Sequence, residues 1–215
     1  MKLANSKHEF NSAMIGMIMG DAHLSKKTST YLYIRHGGKQ LDYINEKVEY
    51  LSNYIVPKVV KTCVDNQGYK YRYAYYNNDS LKYLYKNFYI KNNKLTKKYI
   101  SRNIMNRFNE ISLAFLYMDN GCLSVRKRNG IYTNSMQIIL NTQGFTKAEN
   151  IWISGVLKRK FDLEFKIAKD GDNYRLWCST QSALKLLEIV APIVKEFKSM
   201  HYKLDIKKKD NPFLK

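Results

Sequence analysis

Two stretches decide how this chain folds: Ser12-Ala13-Met14-Ile15-Gly16-Met17-Ile18-Met19-Gly20-Asp21 and, half a chain later, Ile111-Ser112-Leu113-Ala114-Phe115-Leu116-Tyr117-Met118-Asp119-Asn120-Gly121. Each is apolar nearly all round and runs into a polar stop, the pattern of a helix buried on every side. Both fall far short of the roughly 20 residues that span a bilayer, so they belong in a protein core. Gly16 and Gly20, four residues apart, give the first helix a small face on which another backbone can approach closely. Tight packing alone would account for that pair. If the two helices lie side by side and parallel, however, Asp21 and the Asp119-Asn120 pair meet at one end. Both helix dipoles turn their negative ends there, and carboxylate with main-chain carbonyl oxygens suits Mg²⁺.

The segments around these helices repeat in order. Tyr31–Arg35 alternates as a strand closed by Gly37-Gly38, and Leu41–Val56 has helical spacing that Pro57 ends. Val59–Val64 and Tyr69–Tyr76 flank Asn66-Gln67-Gly68 as a hairpin, and Ser80–Tyr89 reads as a second amphipathic helix. After the second apolar helix, Cys122–Arg128 and Ile131–Leu140 are joined by Asn129-Gly130, a strong hairpin signal. Thr146 with Glu149 is a capping box opening a helix to Lys160; Phe161–Ala168 and Tyr174–Cys178 form a further hairpin; Ser182–Lys198 is a helix interrupted near Pro192. Each half is helix, two strands, helix, two strands, helix, which predicts an α+β fold with an internal duplication, residues 1–105 and 106–215.

Composition narrows the partners. The 215 residues hold 37 Lys+Arg against 18 Asp+Glu, a formal net charge of +19, on a chain that is 45% hydrophobic. A globular protein this basic repels itself unless it meets a polyanion, and nucleic acid is the leading one. The charge is spread along the chain rather than gathered on one amphipathic helix, which argues against a membrane surface. Cys63, Cys122 and Cys178 form no CxxC pair and the N-terminus has no apolar signal region, so an intracellular, reducing compartment is expected. His8, His23, His36 and His201 show no HxxxH or HExxH spacing, and no GxxxxGK[ST] is present, which excludes the common zinc-hydrolase and NTPase signatures.

Met14–Ala22 and Leu113–Gly121 together resemble the paired motifs of the single-chain LAGLIDADG homing endonucleases, and the resemblance extends through Leu140–Thr146 and Met200–Leu204. It implies a saddle of two αββαββα halves, with the motif helices between them and two antiparallel sheets in the DNA major groove. It also implies Mg²⁺-dependent cleavage of both strands at a long, asymmetric site, with Mn²⁺ as a substitute cation, by a monomer acting on double-stranded DNA. Asp21 matches the metal-binding aspartate of the first motif, with the Gly20 carbonyl beside it. Lys98 and Lys203 match a lysine that each half supplies near the scissile phosphate, and Gln143 the surrounding network. The second motif departs from the pattern, because Asn120 stands where the second metal-binding aspartate is expected and the acid is Asp119 just before it. An amide oxygen is a weaker Mg²⁺ ligand than a carboxylate. Four accounts fit that departure: an engineered inactivation, a nicking enzyme, a site working through Asp119, or a binding protein such as an intron RNA maturase. A basic ribonucleoprotein component without sequence preference is the rival outside the family.

For DNA reading, the alternation of Tyr69–Tyr76 places Lys70, Arg72 and Ala74 on one strand face and the tyrosines on the other, so the basic face is expected to meet base edges. Tyr33, Arg35, Arg126, Arg128, Gln137, Lys166 and Arg175 are similar candidates. Lys26-Lys27 and Lys207-Lys208-Lys209 are expected at phosphates.

Overall fold

A computed structural model of the chain describes residues 4–92, 95–207 and 210–214. The first half runs α1 (Lys7–Met19), β1 (His23–Lys26), β2 (Thr30–Gly37), α2 (Leu41–Leu51), β3 (Val59–Val64), β4 (Lys70–Asn77) and α3 (Lys82–Phe88). A hairpin of β5 (Tyr89–Asn92) and β6 (Leu95–Lys98) and the short α4 (Arg102–Arg107) follow. The second half repeats the order as α5 (Glu110–Asn120), β7 (Gly121–Arg128), β8 (Ile131–Leu140), α6 (Lys147–Phe161), β9 (Lys166–Asp170), β10 (Asn173–Cys178) and α7 (Thr180–Val194), and a 3-10 segment spans Lys198–Leu204. The two four-stranded antiparallel sheets have equivalent strand orders, β1-β2-β4-β3 and β7-β8-β10-β9. The α+β duplication expected from the sequence is therefore present element by element.

The apolar helices α1 and α5 pack against each other and run parallel. Near their starts, Asn109 Nδ2 donates to Ser12 Oγ at 2.9 Å and Ser112 Oγ to the Ser12 carbonyl at 2.8 Å; at their ends, the Asp21 N–H donates to Asp119 Oδ2 at 3.2 Å. The glycines permit this approach. A Cβ on Gly16 would lie 2.3 Å from the Ser112 carbonyl oxygen and 2.7 Å from Phe115 Cβ, and one on Gly20 would lie 2.5 Å from Asp119 Cβ. The large side chain Phe115 thus leans into the space that Gly16 leaves, and goes on to stack edge-on with Tyr50 of α2 and with Phe197, at centroid distances of 5.1 and 5.3 Å. Gly16→Ala is expected to cost about 1–3 kcal/mol through overpacking, read as a lower urea midpoint at unchanged slope.

Several boundaries differ from the sequence reading for local reasons. Helix α2 stops at Leu51 rather than Val56, because the chain folds back there: the Tyr54 and Ile55 N–H groups both return to the Leu51 carbonyl. The stretch after Phe161 is not strand, since Asp162 takes a left-handed conformation (φ 54°) that ends α6, and β9 begins only at Lys166. Pro192 does not interrupt α7, which continues to Val194. The Thr146–Glu149 capping box is present, and Asn129 and Gly130 both have positive φ, 49° and 79°, as a tight hairpin turn requires. No described helix is long and apolar enough to cross a membrane, and all three cysteines are free. Of the basic triplet Lys207-Lys208-Lys209, the last two lie outside the described residues.

Candidate active site at the paired helix ends

The carbonyl ends of α1 and α5 meet at one point, and each is capped by a lysine from elsewhere in its own half. Lys98 Nζ, at the end of β6, donates to the carbonyls of Ile18, Gly20 (3.4 Å) and Ala22 (3.3 Å). Lys203 Nζ, in the 3-10 segment, donates to the Gly121 carbonyl at 2.6 Å, and its own carbonyl accepts from the Tyr117 hydroxyl at 2.6 Å. A cation at a helix C-terminus is favourable because it meets unpaired carbonyls and the negative end of the dipole. Burial nevertheless lowers both lysines from their usual range, Lys98 to about 8, against the opposing pull of Asp21 and Asp119.

Between the lysines sit the acids. Asp21 lies just past α1, its side chain 40% exposed. The surrounding protein, and next the negative Asp119, push its pKa up to about 6, although Lys47, Lys203 and Lys98 pull it down. Asp119 faces inward. Its side chain is fully buried, with Oδ1 accepting from Lys47 Nζ at 2.6 Å and Oδ2 from the Asp21 main chain. Asn120 is only partly buried, and it makes a reciprocal pair with the strand end of β8: its Nδ2 donates to the Asn141 carbonyl at 2.8 Å, and the Asn141 N–H returns to its carbonyl at 2.9 Å. No protein donor among the described residues meets Asn120 Oδ1. Gln143 stands beside this pair, 3.5 Å from Asn141 Oδ1, with its firmer bond to Asp170 Oδ2 at 2.8 Å.

Two further side chains at this point escaped the sequence reading. Lys47 of α2 and His36 of β2 are both buried against the acids: Lys47 Nζ is 2.8 Å from His36 Nε2, and His36 Nδ1 is 3.5 Å from Asp21 Oδ2. Burial and the adjacent Lys47 lower the His36 pKa to about 3. One ligand atom each of Asp21, His36 and Asp119 fall within 4.8 Å of one another, the one such group of three histidine, cysteine or carboxylate side chains among the described residues. Both residues carried a sequence signal. Lys47 stands in helical phase with the buried Tyr43, Ile44, Tyr50 and Leu51, and His36 alternates in phase with Leu32 and Ile34. A polar residue on a core face needs a partner.

The sheet faces turned away from the helices differ between halves. On the first, cross-strand register puts Tyr31, Tyr33 and Arg35 beside Tyr73, Tyr75, Tyr71 and Lys61. Tyr31–Tyr75 and Tyr33–Tyr73 stack at 5.5 and 5.1 Å, and Arg35 lies over the Tyr71 ring at 3.7 Å. Here the expectation for β4 is reversed. Ala74 and Tyr76 fill the core, so Arg72 and Lys70 continue the core-side face, where Arg72 Nε donates to Thr62 Oγ1 at 2.7 Å and its Nη1 lies 4.0 Å from Asp42 Oδ1, while Lys70 at the strand end is exposed; the half-buried Tyr71, Tyr73 and Tyr75 are on the open face. On the second sheet, Arg126 and Gln137 share the open face with Lys166, Arg175 and Trp177. An open groove joins Ser124, Arg126, Gln137 and Trp177, and Arg128 lines a second one with Arg126 and Thr133.

Comparison with known proteins gives the family and the fold. The family model for the LAGLIDADG DNA endonuclease family matches residues 11–186. The chain belongs to that family. Among its relatives, the probable intron-encoded DNA endonuclease 3 of Mycosarcoma maydis is 30% identical over 142 residues, covering 66% of this chain and 97% of that protein. Protein RecA of Mycolicibacterium flavescens is 28% identical over 203 residues, 89% of this chain, which spans only 45% of that protein. In structure, the homing endonuclease I-WcaI bound to its DNA recognition sequence superposes with a TM-score of 0.75 at 23% identity, covering 95% of this chain and 88% of that one. The fold is therefore shared across nearly the whole chain.

Proposed function

We propose that this LAGLIDADG protein is a site-specific, double-strand DNA endonuclease of the homing type, acting as a monomer and dependent on Mg²⁺, with Mn²⁺ able to replace it. The observation that carries the reading is the convergence of Asp21 and Asp119 at the ends of two parallel helices, with Asn120 the last residue of the second and each end capped by a buried lysine. The donor set fits a hard cation: the partly exposed Asp21 carboxylate, the free amide oxygen of Asn120 and the Gly20 carbonyl are all oxygen. Asp119 is the exception, because both its oxygens are engaged inside the fold. A divalent cation held there would activate a water and neutralise charge on the leaving oxygen of a phosphodiester. The chain's own part is fixed by its groups. Asp21 binds and orients, while Lys98 and Lys203 hold positive charge beside the developing negative charge of the phosphate.

Asn120 makes the two strands unequal. On supercoiled plasmid carrying the target, nicked circles are expected to accumulate before linear product, and Asn120→Asp to shorten that lag. A second reading, a DNA- or intron-RNA-binding protein without cleavage, is favoured by the engagement of the Asn120 amide with Asn141. Binding without any metal-dependent product from wild type, and cleavage by Asn120→Asp alone, would establish it.

The open sheet faces would lie on the DNA, the tyrosine face on one half-site and the basic face on the other. Lys166→Ala is expected to lower the slope of log affinity against log salt by about 1 if it neutralises a phosphate. Tyr33→Ala, which removes no charge, should weaken binding with the slope unchanged; competition binding across a salt series separates the two.

A further inference from the structure

Lys47 Nζ donates to Asp119 Oδ1 at 2.6 Å and to His36 Nε2 at 2.8 Å, and stands 4.3 Å over the Tyr43 ring. An ammonium has three hydrogens and no lone pair, so it can only donate in both of these hydrogen bonds. A ring nitrogen 2.8 Å from such a donor has to accept, so a neutral imidazole carries its hydrogen on Nδ1, the nitrogen 3.5 Å from Asp21 Oδ2, a distance at the outer limit of a hydrogen bond that a small rotation of the exposed carboxylate shortens. The circuit closes through the Asp21 N–H on Asp119 Oδ2. It joins β2, α2, α5 and the end of α1, and water is kept from its inner part: the side chains of Lys47 and Asp119 are fully buried and that of His36 is 1% exposed, while Asp21 at the outer end is open to solvent.

We propose that Lys47 and His36 are positioning residues: Lys47 neutralises Asp119 inside the fold and fixes His36 as the Nδ1–H tautomer, and that N–H holds one oxygen of Asp21 while the other receives the cation. The proposal rests on the cation site of the proposed function and deepens it. Asp119 then serves as the counter-ion of an internal lysine, and Asp21 is the carboxylate left to the metal. Partners that orient a metal-binding side chain in this way typically change metal affinity by 10–100-fold when removed.

The test uses the full chain and needs no cleavage. In long-range ¹H–¹⁵N spectra of histidine-labelled protein, assigned with His36→Asn, the His36 ring is expected to show a protonated Nδ1 and a bare Nε2, and Lys47→Met to shift it toward Nε2–H. In Mn²⁺ titrations followed by electron paramagnetic resonance, His36→Phe should weaken binding by about 10–100-fold. His36→Asn, whose amide Nδ2 replaces the Nδ1–H, should recover most of that loss. An Nε2–H ring in wild type, unchanged Mn²⁺ affinity in folded His36→Phe, or no Mn²⁺ bound by wild type overturns the proposal. Should His36→Phe not fold, the wild-type tautomer and the His36→Asn titration decide it. A protein that shows the relay but cuts no DNA sinks the endonuclease reading and leaves this proposal standing.

Discussion

Replacing Asp21 with Asn is expected to reduce cleavage of a labelled target duplex by on the order of 10³-fold under single-turnover conditions, with DNA affinity in EDTA retained. The substitution is isosteric and removes a single negative charge from the one carboxylate at the paired helix ends that is open to solvent. Its main-chain bond to Asp119 survives. The same variant has a signature in metal-free stability. The folded Asp21 carboxyl keeps its proton up to about pH 6, against 3.8 ordinarily, so between those values the folded state binds more protons than the unfolded one. Stability contributed by Asp21 is therefore greatest at low pH, falls as pH rises through that window, and stays reduced above it. Asp21→Asn should lose that slope, seen in urea titrations between pH 4 and 6 in EDTA.

The second large effect falls on folding. Asp119→Ala leaves the Lys47 ammonium buried without its anion, which should cost about 3–5 kcal/mol of unfolding free energy. Removing both charges, in the double variant Asp119→Leu with Lys47→Met, should recover most of that loss, because a buried ion pair replaced by apolar groups of similar volume is often close to neutral. Urea denaturation of the single and double variants measures the coupling. If Asp119 were instead an open metal ligand, its loss would abolish cleavage and leave stability nearly intact.

Much of this was legible in the sequence because it rests on short-range pattern. The all-round apolar helices, the Asn129-Gly130 turn and the Thr146–Glu149 capping box each state their structure locally, and the two motifs announce the helix ends at which Lys98 and Lys203 meet carbonyls. What was missed depends on the third dimension. The facing of β4 hinged on which set of alternating residues fills the core, and aromatic residues suit either side; only the burial of Ala74 and Tyr76 settles it. Lys47 falls unremarked within the Leu41–Val56 helix and His36 just past the Tyr31–Arg35 strand in the sequence, since the partners that make them exceptional, Asp119 and Asp21, come from distant segments. The engagement of the Asn120 amide is of the same kind, because its hydrogen bond to Asn141 crosses from a helix end to a strand end.

The measurement that bears most directly on the central claim is cleavage of supercoiled plasmid carrying the uninterrupted target junction, with wild type and Asp21→Asn side by side, each at saturating binding, with Mg²⁺ and with EDTA. Metal-dependent nicking followed by linear product from wild type, and neither from Asp21→Asn, is the predicted result. Intact plasmid with wild type under saturating binding, or equal cutting by both proteins, would contradict a catalytic centre at the paired ends of α1 and α5.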